Sequence, residues 1–161
     1  MTDVKVKRSE FATYIDCAPD AETYSLIGVG VTAAEIAYNP NIVSETYIHE
    51  NNASAEVEGY SPTMPLEAVC VNGDAVFEFI DGLRKERAIL DDAHTSIVNV
   101  WLYETPAGTS YEAEQQDVTI SIDSYGGDGG AAKRINYTIS YRGDPLIGDF
   151  DTSDNSFTAD A

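Results

Sequence analysis

The feature that most restricts the fold of this chain is a pair of alternating segments joined by a glycine-rich stretch. Apolar side chains recur at every second position in both segments, first at Val118, Ile120 and Ile122 and then at Ile135, Tyr137, Ile139 and Tyr141. A period of two places these side chains on one face of a β-strand and the polar ones between them on the other. Because residues 126–130 supply a turn, we predict an antiparallel hairpin with one buried face.

Residues 72–84 form the only segment after the first forty residues with a convincing helical pattern. The apolar residues of this segment that share one face of a helix are Val76, Phe77, Ile80 and Leu83. Asp74 suits the N-cap position, because its carboxylate can accept a hydrogen bond from a free N–H group of the first turn. We predict a helix over about residues 74–85 that lays its apolar face against a sheet.

Most other segments have strand patterns. Residues 95–104 are apolar on both faces, which predicts a central strand covered on two sides. Residues 111–116 are polar enough to predict a loop or a strand edge, and residues 143–145 predict a turn before a weak last strand around Phe157. The fold class that follows is mainly β, a two-sheet β-sandwich or barrel with one flanking helix. We expect one domain over residues 1–161, with residues 1–10 as an N-terminal arm.

A second hairpin is predicted from strands at 43–50 and 55–60 around a polar turn. Its side chains are unusually polar, so few of them can join a hydrophobic core. We therefore expect a long hairpin, over about residues 43–60, that projects from the domain and is stabilised elsewhere, for example by a neighbouring subunit.

The charge of the chain is strongly negative. It contains 28 Asp and Glu against 9 Lys and Arg, a formal net charge of −19. The one basic cluster near the N-terminus is formed by Lys5, Lys7 and Arg8. Such a surface repels phosphates, which excludes nucleic-acid binding through counterion release. No apolar run approaches the length of a bilayer span and the N-terminus lacks the apolar core of a signal peptide, so we expect no membrane partner and synthesis inside the cell.

No motif in the sequence supports an enzyme. The glycine-rich stretch before Lys133 lacks the Gly-Lys-Ser/Thr ending of a phosphate-binding loop, and a strand rather than a helix follows it. His49 and His94 belong to no triad or zinc motif. Cys17 and Cys70 are predicted to be buried free thiols rather than a disulfide. We therefore predict no catalytic residue and no cofactor.

The acidic loop near the C-terminus is a weak candidate for a metal site, through Asp149, Asp151 and Asp154. A calcium loop of the EF-hand type needs Gly at its sixth position and a bidentate Glu at its twelfth. Here the sixth position is Asp154. A solvated acidic turn is the preferred interpretation.

The order of these segments resembles a known family. Residues 38–50, 58–62 and 66–71, followed by Asn72-Gly73-Asp74 and a helix with Phe79 and Ile80, resemble the major tail proteins, or tail tube proteins, of long-tailed bacteriophages. The endings at residues 143–151 and 157–159 are similar too. The resemblance covers roughly residue 38 to the C-terminus.

The resemblance implies a structural protein whose β-sandwich subunits form hexameric rings that stack into a tube for genome passage. In that family an early hairpin reaches neighbouring subunits, which makes Glu45, Tyr47, His49 and Tyr60 interface candidates. The terminal segments contact the adjacent ring, which points to Lys5, Lys7 and Arg8. An acidic lumen would let DNA slide without adhering, and the candidates to line it are Glu56, Glu58 and Asp123.

The partners implied are further copies of the chain and other tail proteins, such as a tape measure protein and a tail terminator, with genome DNA passing without specific binding. The location implied is the tail of a virion assembled from protein made in the bacterial host cytoplasm. Two alternatives stay open: a tube protein of a phage-derived injection particle, and a β-sandwich module that binds carbohydrate or calcium.

Overall fold

The computed structural model describes residues 3–18 and 22–160. In chain order the elements are β1 (Phe11–Asp16), β2 (Tyr24–Leu26), β3 (Val31–Ala34), β4 (Pro40–Glu45), β5 (Ser54–Tyr60), β6 (Thr63–Val69), α1 (Ala75–Glu86), β7 (His94–Trp101), β8 (Ser110–Gly126), β9 (Arg134–Asp151) and β10 (Ser156–Ala159). Short 3-10 helices at Arg8–Glu10 and Leu90–Ala93 precede β1 and β7. The predicted fold class, mainly β with one flanking helix, is confirmed.

Eight of the strands form one curled antiparallel sheet. The strand order is β2-β1-β7-β8-β9-β6-β3, and β10 pairs with β9 beyond the end of β6. Strands β4 and β5 pair only with each other and form the projecting hairpin predicted from the sequence. Within the described part of the chain, no helix has the length and apolar character needed to cross a bilayer.

The predicted alternating hairpin is formed by β8 and β9. Ile120 pairs with Ile139 and Ile122 with Tyr137, so the apolar members of the two strands lie on one face. The turn between the strands needs backbone conformations that favour glycine, with φ of 125° at Gly126 and 142° at Gly127.

Two sequence predictions on this hairpin are wrong. Residues 111–116 belong to β8, and residues 143–145 lie inside β9 rather than in a turn. The register passes from Gln115 opposite Leu146 to Asp117 opposite Arg142, so residues 143–145 bulge opposite a single residue, Gln116. The Gln116 Nε2 atom donates a hydrogen bond of 2.7 Å to the Gly143 carbonyl across this bulge. The two extra residues keep the alternation in phase, but they bend the strand and place three exposed residues in a row, so a turn-like sequence lies inside a continuous strand.

The apolar side chains form two clusters on opposite faces of β1 and β7. Ile15 and Ile97 belong to the first cluster, with residues of β6, β8, β9 and α1. Tyr14 and Val98, each one position away, belong to the second, together with Phe150 of β9. Successive side chains of a strand point to opposite faces, so the predicted two-sided burial of β7 is confirmed.

Helix α1 begins where the sequence predicts. The Asp74 carboxylate accepts a hydrogen bond from the backbone N–H of Phe77, at 3.3 Å. The helix ends at Arg87, which adopts a left-handed conformation with φ of 46°. Val76 and Ile80 are buried in the first cluster, and Phe77, Phe79 and Leu83 are partly buried against it.

Replacing Ile80 by Ala should destabilise the fold by about 2 to 5 kcal/mol, because the side chain is fully buried and the change leaves a cavity. Ile89→Ala is the matched control: the same atoms are removed from a side chain that is 70% exposed, and the cost should stay within about 0.5 kcal/mol. Chemical denaturation measures both. If Ile80→Ala blocked self-association without lowering stability, α1 would belong to an interface instead.

Replacing Tyr137 by Phe should leave stability unchanged or raise it by about 1 kcal/mol, because its buried hydroxyl has no hydrogen-bond partner among the described residues. Burial also raises the pKa of Tyr137. In the unfolded chain this group ionises near pH ~10. The stability it contributes is therefore complete below that pH and is lost as the pH rises further.

Denaturation between pH 8 and 11 tests both points, with Tyr47→Phe on the hairpin as the matched control. The Tyr137→Phe protein should lose stability less steeply above pH ~10, by up to about 1.4 kcal/mol per pH unit. A marked destabilisation of Tyr137→Phe would show that the hydroxyl has a favourable partner.

Candidate assembly surfaces

The hairpin of β4 and β5 lies outside both apolar clusters. Its register places Val43 opposite Glu56 and Glu45 opposite Ser54, with an irregularity between Asn41 and Ile42. Nearly all of its residues are exposed, and Ile48 beyond the end of β4 is fully so. A two-stranded ribbon without a core is marginally stable by itself. This element is therefore a candidate for contact with another molecule.

One face of the hairpin is acidic. The side chains lining a shallow hollow on this face are Val43, Glu45, Tyr47, Ser54, Glu56 and Glu58. We call Glu45, Glu56 and Glu58 the acidic face. In the described part of the chain, no lysine, arginine or histidine forms an ion pair with any of these three.

The opposite face of the hairpin is apolar. Ile42 and Val57 are direct cross-strand partners, and their side chains are 58% and 52% exposed. We call this pair the apolar face. Sequence reasoning did not single out either residue, although their positions next to Val43 and Glu56 imply opposite orientations.

The predicted interface candidates on the hairpin are all exposed. Glu45 and Tyr47 line the acidic hollow, and the Tyr47 ring stacks on His49 with a centroid separation of 6.4 Å. Tyr60 lies at the base of the hairpin, where its ring meets that of Tyr38 edge to face at 6.2 Å. These residues thus occupy the tip and the base of one projecting element.

The N-terminal arm has an amphipathic alternation that sequence reasoning missed. Residues 3–7 are exposed and belong to no strand. Val4 and Val6, which are 82% and 57% exposed, alternate with Lys5 and Lys7. This alternation of valine and lysine is visible in the sequence as a period of two. From here on, the arm means residues 3–7, the part of the predicted N-terminal arm that precedes Arg8.

Arg8 differs from the two lysines of the basic cluster. Its guanidinium donates hydrogen bonds to the carbonyls of Phe11, at 2.7 Å, and Ala34, at 3.1 Å. The same group lies 5.4 Å from the centre of the Phe11 ring. Arg8 therefore fixes the point where the arm leaves the sheet, and Lys5 and Lys7 extend beyond it.

An open apolar groove lies between the two edges of the large sheet. Strands β1 and β2 form one wall of the groove, and β3 and β6 form the other. The lining residues include Arg8, Phe11, Leu26 and Met64. The free edges of β2 and β3 present unpaired backbone groups, which are a common template for pairing with another chain.

A second group of basic residues surrounds Tyr125. The guanidinium of Arg84 lies 3.8 Å from the centre of the Tyr125 ring, and the Lys133 ammonium lies 4.7 Å from it. Lys133 also donates a hydrogen bond to the Tyr125 hydroxyl. Arg84 and Lys85 form ion pairs with Asp81, at 2.8 Å and 3.4 Å. Neighbours within the subunit thus satisfy these cations.

The candidate lumen acids occupy two different elements. Asp123 is exposed on β8, on the face opposite the first apolar cluster, and accepts a hydrogen bond of 2.6 Å from the Thr138 hydroxyl. Glu56 and Glu58 lie on the hairpin. One subunit therefore places these carboxylates on two surfaces, with Glu56 and Glu58 on the acidic face of the hairpin and Asp123 on the sheet.

The acids near the C-terminus are turn acceptors. Asp151 Oδ1 accepts hydrogen bonds from the Ser153 hydroxyl at 2.7 Å, the Ser153 backbone N–H at 2.9 Å and the Thr109 hydroxyl at 2.8 Å. These bonds hold the pKa of Asp151 below its usual value. Asp154 accepts from the backbone and hydroxyl of Ser156, and Asp149 is exposed on β9. Residues 3–18 and 22–160 contain no group of three or more potential ligands arranged to hold a metal ion.

The two cysteines are free thiols, as predicted, but both are half-buried rather than buried. Burial raises the pKa of the Cys17 and Cys70 thiols.

Neither a protein-family model nor a curated protein sequence matches the chain. Solved structures do match. A chain from the tail of an empty GTA particle, solved with helical refinement and C6 symmetry, is 16% identical with a TM-score of 0.64, over 96% of this chain and 100% of that chain. A chain from the sixfold-symmetrised baseplate of the anti-feeding prophage is 12% identical with a TM-score of 0.51, over 91% of this chain and 97% of that one.

A third match comes from the sheath/tube terminator of PVC, an extracellular contractile injection system, in the extended state. It is 12% identical with a TM-score of 0.53, over 91% of this chain and 99% of that one. At these identities the likeness is one of fold. The resemblance to tail tube proteins found in the sequence is thereby confirmed at the level of fold: this chain is built like chains of tail and injection particles.

Addition of calcium should leave the melting temperature and the calorimetric baseline unchanged, because the oxygens of Asp151 and Asp154 already accept hydrogen bonds within their turns. Titration calorimetry and thermal unfolding in calcium chloride and in EDTA measure this. Stoichiometric heat together with a melting temperature that rises with calcium concentration would instead establish a specific site.

Proposed function

We propose that this protein is a structural tube subunit that self-assembles into hexameric rings, and that the rings stack into a tail tube with an acidic lumen through which genome DNA passes. Its partners are further copies of itself and other tail proteins, including a tape measure protein and a tail terminator. Its place is the tail of a virion, after synthesis in the host cytoplasm.

The observation that carries this proposal is the β4–β5 hairpin on a fold shared with chains of sixfold particles. The hairpin has no core of its own and exposes Ile42, Ile48 and Val57. Exposed apolar groups on a projecting ribbon lower the free energy of the protein when another molecule covers them. The matched tail and baseplate chains come from particles with C6 or sixfold symmetry, which supports a ring of six as the assembly.

The charge of the subunit suits a conduit for DNA. A formal charge of −19 per chain, repeated around a ring, creates a negative field that repels phosphates over roughly a Debye length of 8 Å at physiological salt. Asp123 is the lumen candidate on the sheet itself, since it is exposed on the polar face of β8. A structural role of this kind requires no catalytic group and no cofactor.

A variant with a shortened hairpin tests this proposal. Replacing residues 44–55 by Asn-Gly would close the ribbon after the Val43–Glu56 pair with a two-residue turn. We expect wild-type protein to form rings or tubes in negative-stain electron microscopy at high concentration. The shortened variant should remain monomeric with nearly the wild-type melting temperature, because the removed residues lie outside both apolar clusters.

The test needs one control variant and a comparison with wild type. The Ile89→Ala protein alters an exposed apolar residue of the body and should assemble like wild type. Wild-type protein that stayed monomeric at every concentration and salt condition would contradict the proposed function. Rings formed by the shortened variant would retain the tube proposal and exclude the hairpin from the interface.

A second candidate function is the tube of a phage-derived contractile injection particle. The matches to chains from the anti-feeding prophage and PVC particles favour it, although their TM-scores are lower than that of the GTA tail chain. Genes for a contractile sheath beside the gene of this protein, and copurification with the sheath protein, would favour the injection particle. Their absence would favour a non-contractile tail.

A further inference from the structure

We propose that the arm of one subunit adds as an extra strand to the outer edge of β5 in a second copy of the chain. In this arrangement Lys5 and Lys7 lie over the acidic face, and Val4 and Val6 extend the apolar face. The inference rests on the proposed self-assembly, and it names the two surfaces that meet.

The arm has the properties of a strand without a partner. In the described chain, residues 3–6 make no backbone hydrogen bond, and Lys7 bonds only to Glu10 in the following turn. The alternation of Val4 and Val6 with Lys5 and Lys7 gives a β-strand one apolar and one basic face. Arg8 anchors the arm through Phe11 and Ala34, so the free segment is held to the subunit at one end.

The hairpin has the properties of an acceptor. It contains two strands only, so the outer edges of both β4 and β5 present unpaired backbone groups. An extended segment added to such an edge gains main-chain hydrogen bonds, and its side chains select the register. The hairpin is also already split into an acidic face and an apolar face, as the arm is into a basic one and an apolar one.

Spacing and charge favour this pairing. Lys5 and Lys7 are two residues apart, and so are Glu56 and Glu58, which line the same hollow together with Glu45. Adjacent strands lie about 4.8 Å apart, well within the reach of a lysine side chain. With this register the ammonium groups meet the carboxylates of Glu56 and Glu58, which have no ion-pair partner in the described subunit, while the valines lie beside Val57 of the same strand.

This arrangement gives Glu56 and Glu58 a role distinct from that of Asp123. They neutralise the arm of a neighbour at the contact, and Asp123 on β8 remains the candidate to line the lumen. In the described subunit the outer edge of β5 is open, since β5 pairs only with β4 and the arm belongs to no strand.

Charge reversal with rescue by mixing tests the proposal. The arm variant is Lys5→Glu with Lys7→Glu, and the hairpin variant is Glu56→Lys with Glu58→Lys. Each should raise the concentration needed for self-association at least tenfold in sedimentation velocity, because the facing charges now repel. Mixing the two variants in equal amounts should restore association, since the reversed arm of one fits the reversed hairpin of the other and the unaltered surfaces also match.

The matched control is Asp128→Lys with Asp144→Lys, which makes the same change of charge as the hairpin variant at two exposed positions outside the arm and the β4–β5 hairpin. It should associate like wild type, and mixing it with the arm variant should not restore the association of the arm variant. All the substituted side chains are exposed, so each variant should keep the wild-type melting temperature.

The outcomes separate this inference from the proposed function. Rescue by mixing supports the contact between copies. Rescue only when all four changes lie in one chain would mean that the arm binds its own hairpin, and it would overturn the inference. Rings that form undiminished from both variants would overturn it and leave the tube proposal standing. Arm-dependent association without sixfold rings in the electron microscope would contradict the tube and retain the contact, and wild-type protein that never associates would overturn both.

Discussion

The pairing of β8 with β9 is the interaction on which the rest of the structure depends. These strands run through both apolar clusters, with Ile120 and Tyr137 in the first and Ala113 and Phe150 in the second. The bulge of residues 143–145 opposite Gln116 lies between the two groups. Ala113 and Val118 of β8 point to opposite faces by ordinary alternation, so one hairpin can supply both cores on the opposite faces of β1 and β7.

This division of the core leaves the β4–β5 hairpin outside. The buried apolar residues belong to the body, whereas Ile42, Ile48 and Val57 of the hairpin are half to fully exposed. A sequence that only needed to fold as a monomer would gain nothing from these three residues at such positions. The stability of the body and the proposed contact with another copy therefore depend on different residues.

Much of the body could be predicted from the sequence because its elements are specified locally. Alternation along residues 118–122 and 135–141 marks a buried face directly, and Asp74 marks the start of α1. The failures at residues 111–116 and 143–145 have separate causes: the first segment is polar although it pairs with β7 and β9, and Gly143-Asp144-Pro145 has the composition of a turn although it bulges within β9. Where a strand bends rather than ends depends on its partner strand, which no local pattern contains.

From the sequence, the candidate assembly surfaces could be predicted as chain segments but not as sets of side chains that share a face. The polarity of residues 43–60 identified a projecting hairpin, but the grouping of Glu45, Glu56 and Glu58 on one face depends on the register of β4 with β5 and on the irregularity after Asn41. The role of Arg8 depends on the Ala34 carbonyl, which lies 26 positions away in the chain. Sequence reasoning grouped Arg8 with Lys5 and Lys7 by proximity, whereas the structure separates an anchor from two extended cations.

Because the chain has few cations, the two lysines of the arm are important for any association between copies of it. Subunits with a formal charge of −19 repel one another, so association requires contacts that reduce this repulsion as well as apolar burial. Of the 9 Lys and Arg, Arg84, Lys85 and Lys133 are engaged with Asp81 or Tyr125, and Arg8 is engaged with backbone carbonyls. Lys5 and Lys7 instead lie on an exposed length of backbone that belongs to no strand and has a strand-like alternation of side chains. The proposed tube can therefore keep a negative surface toward DNA and still hold its subunits together, provided that its few positive charges are placed where copies meet.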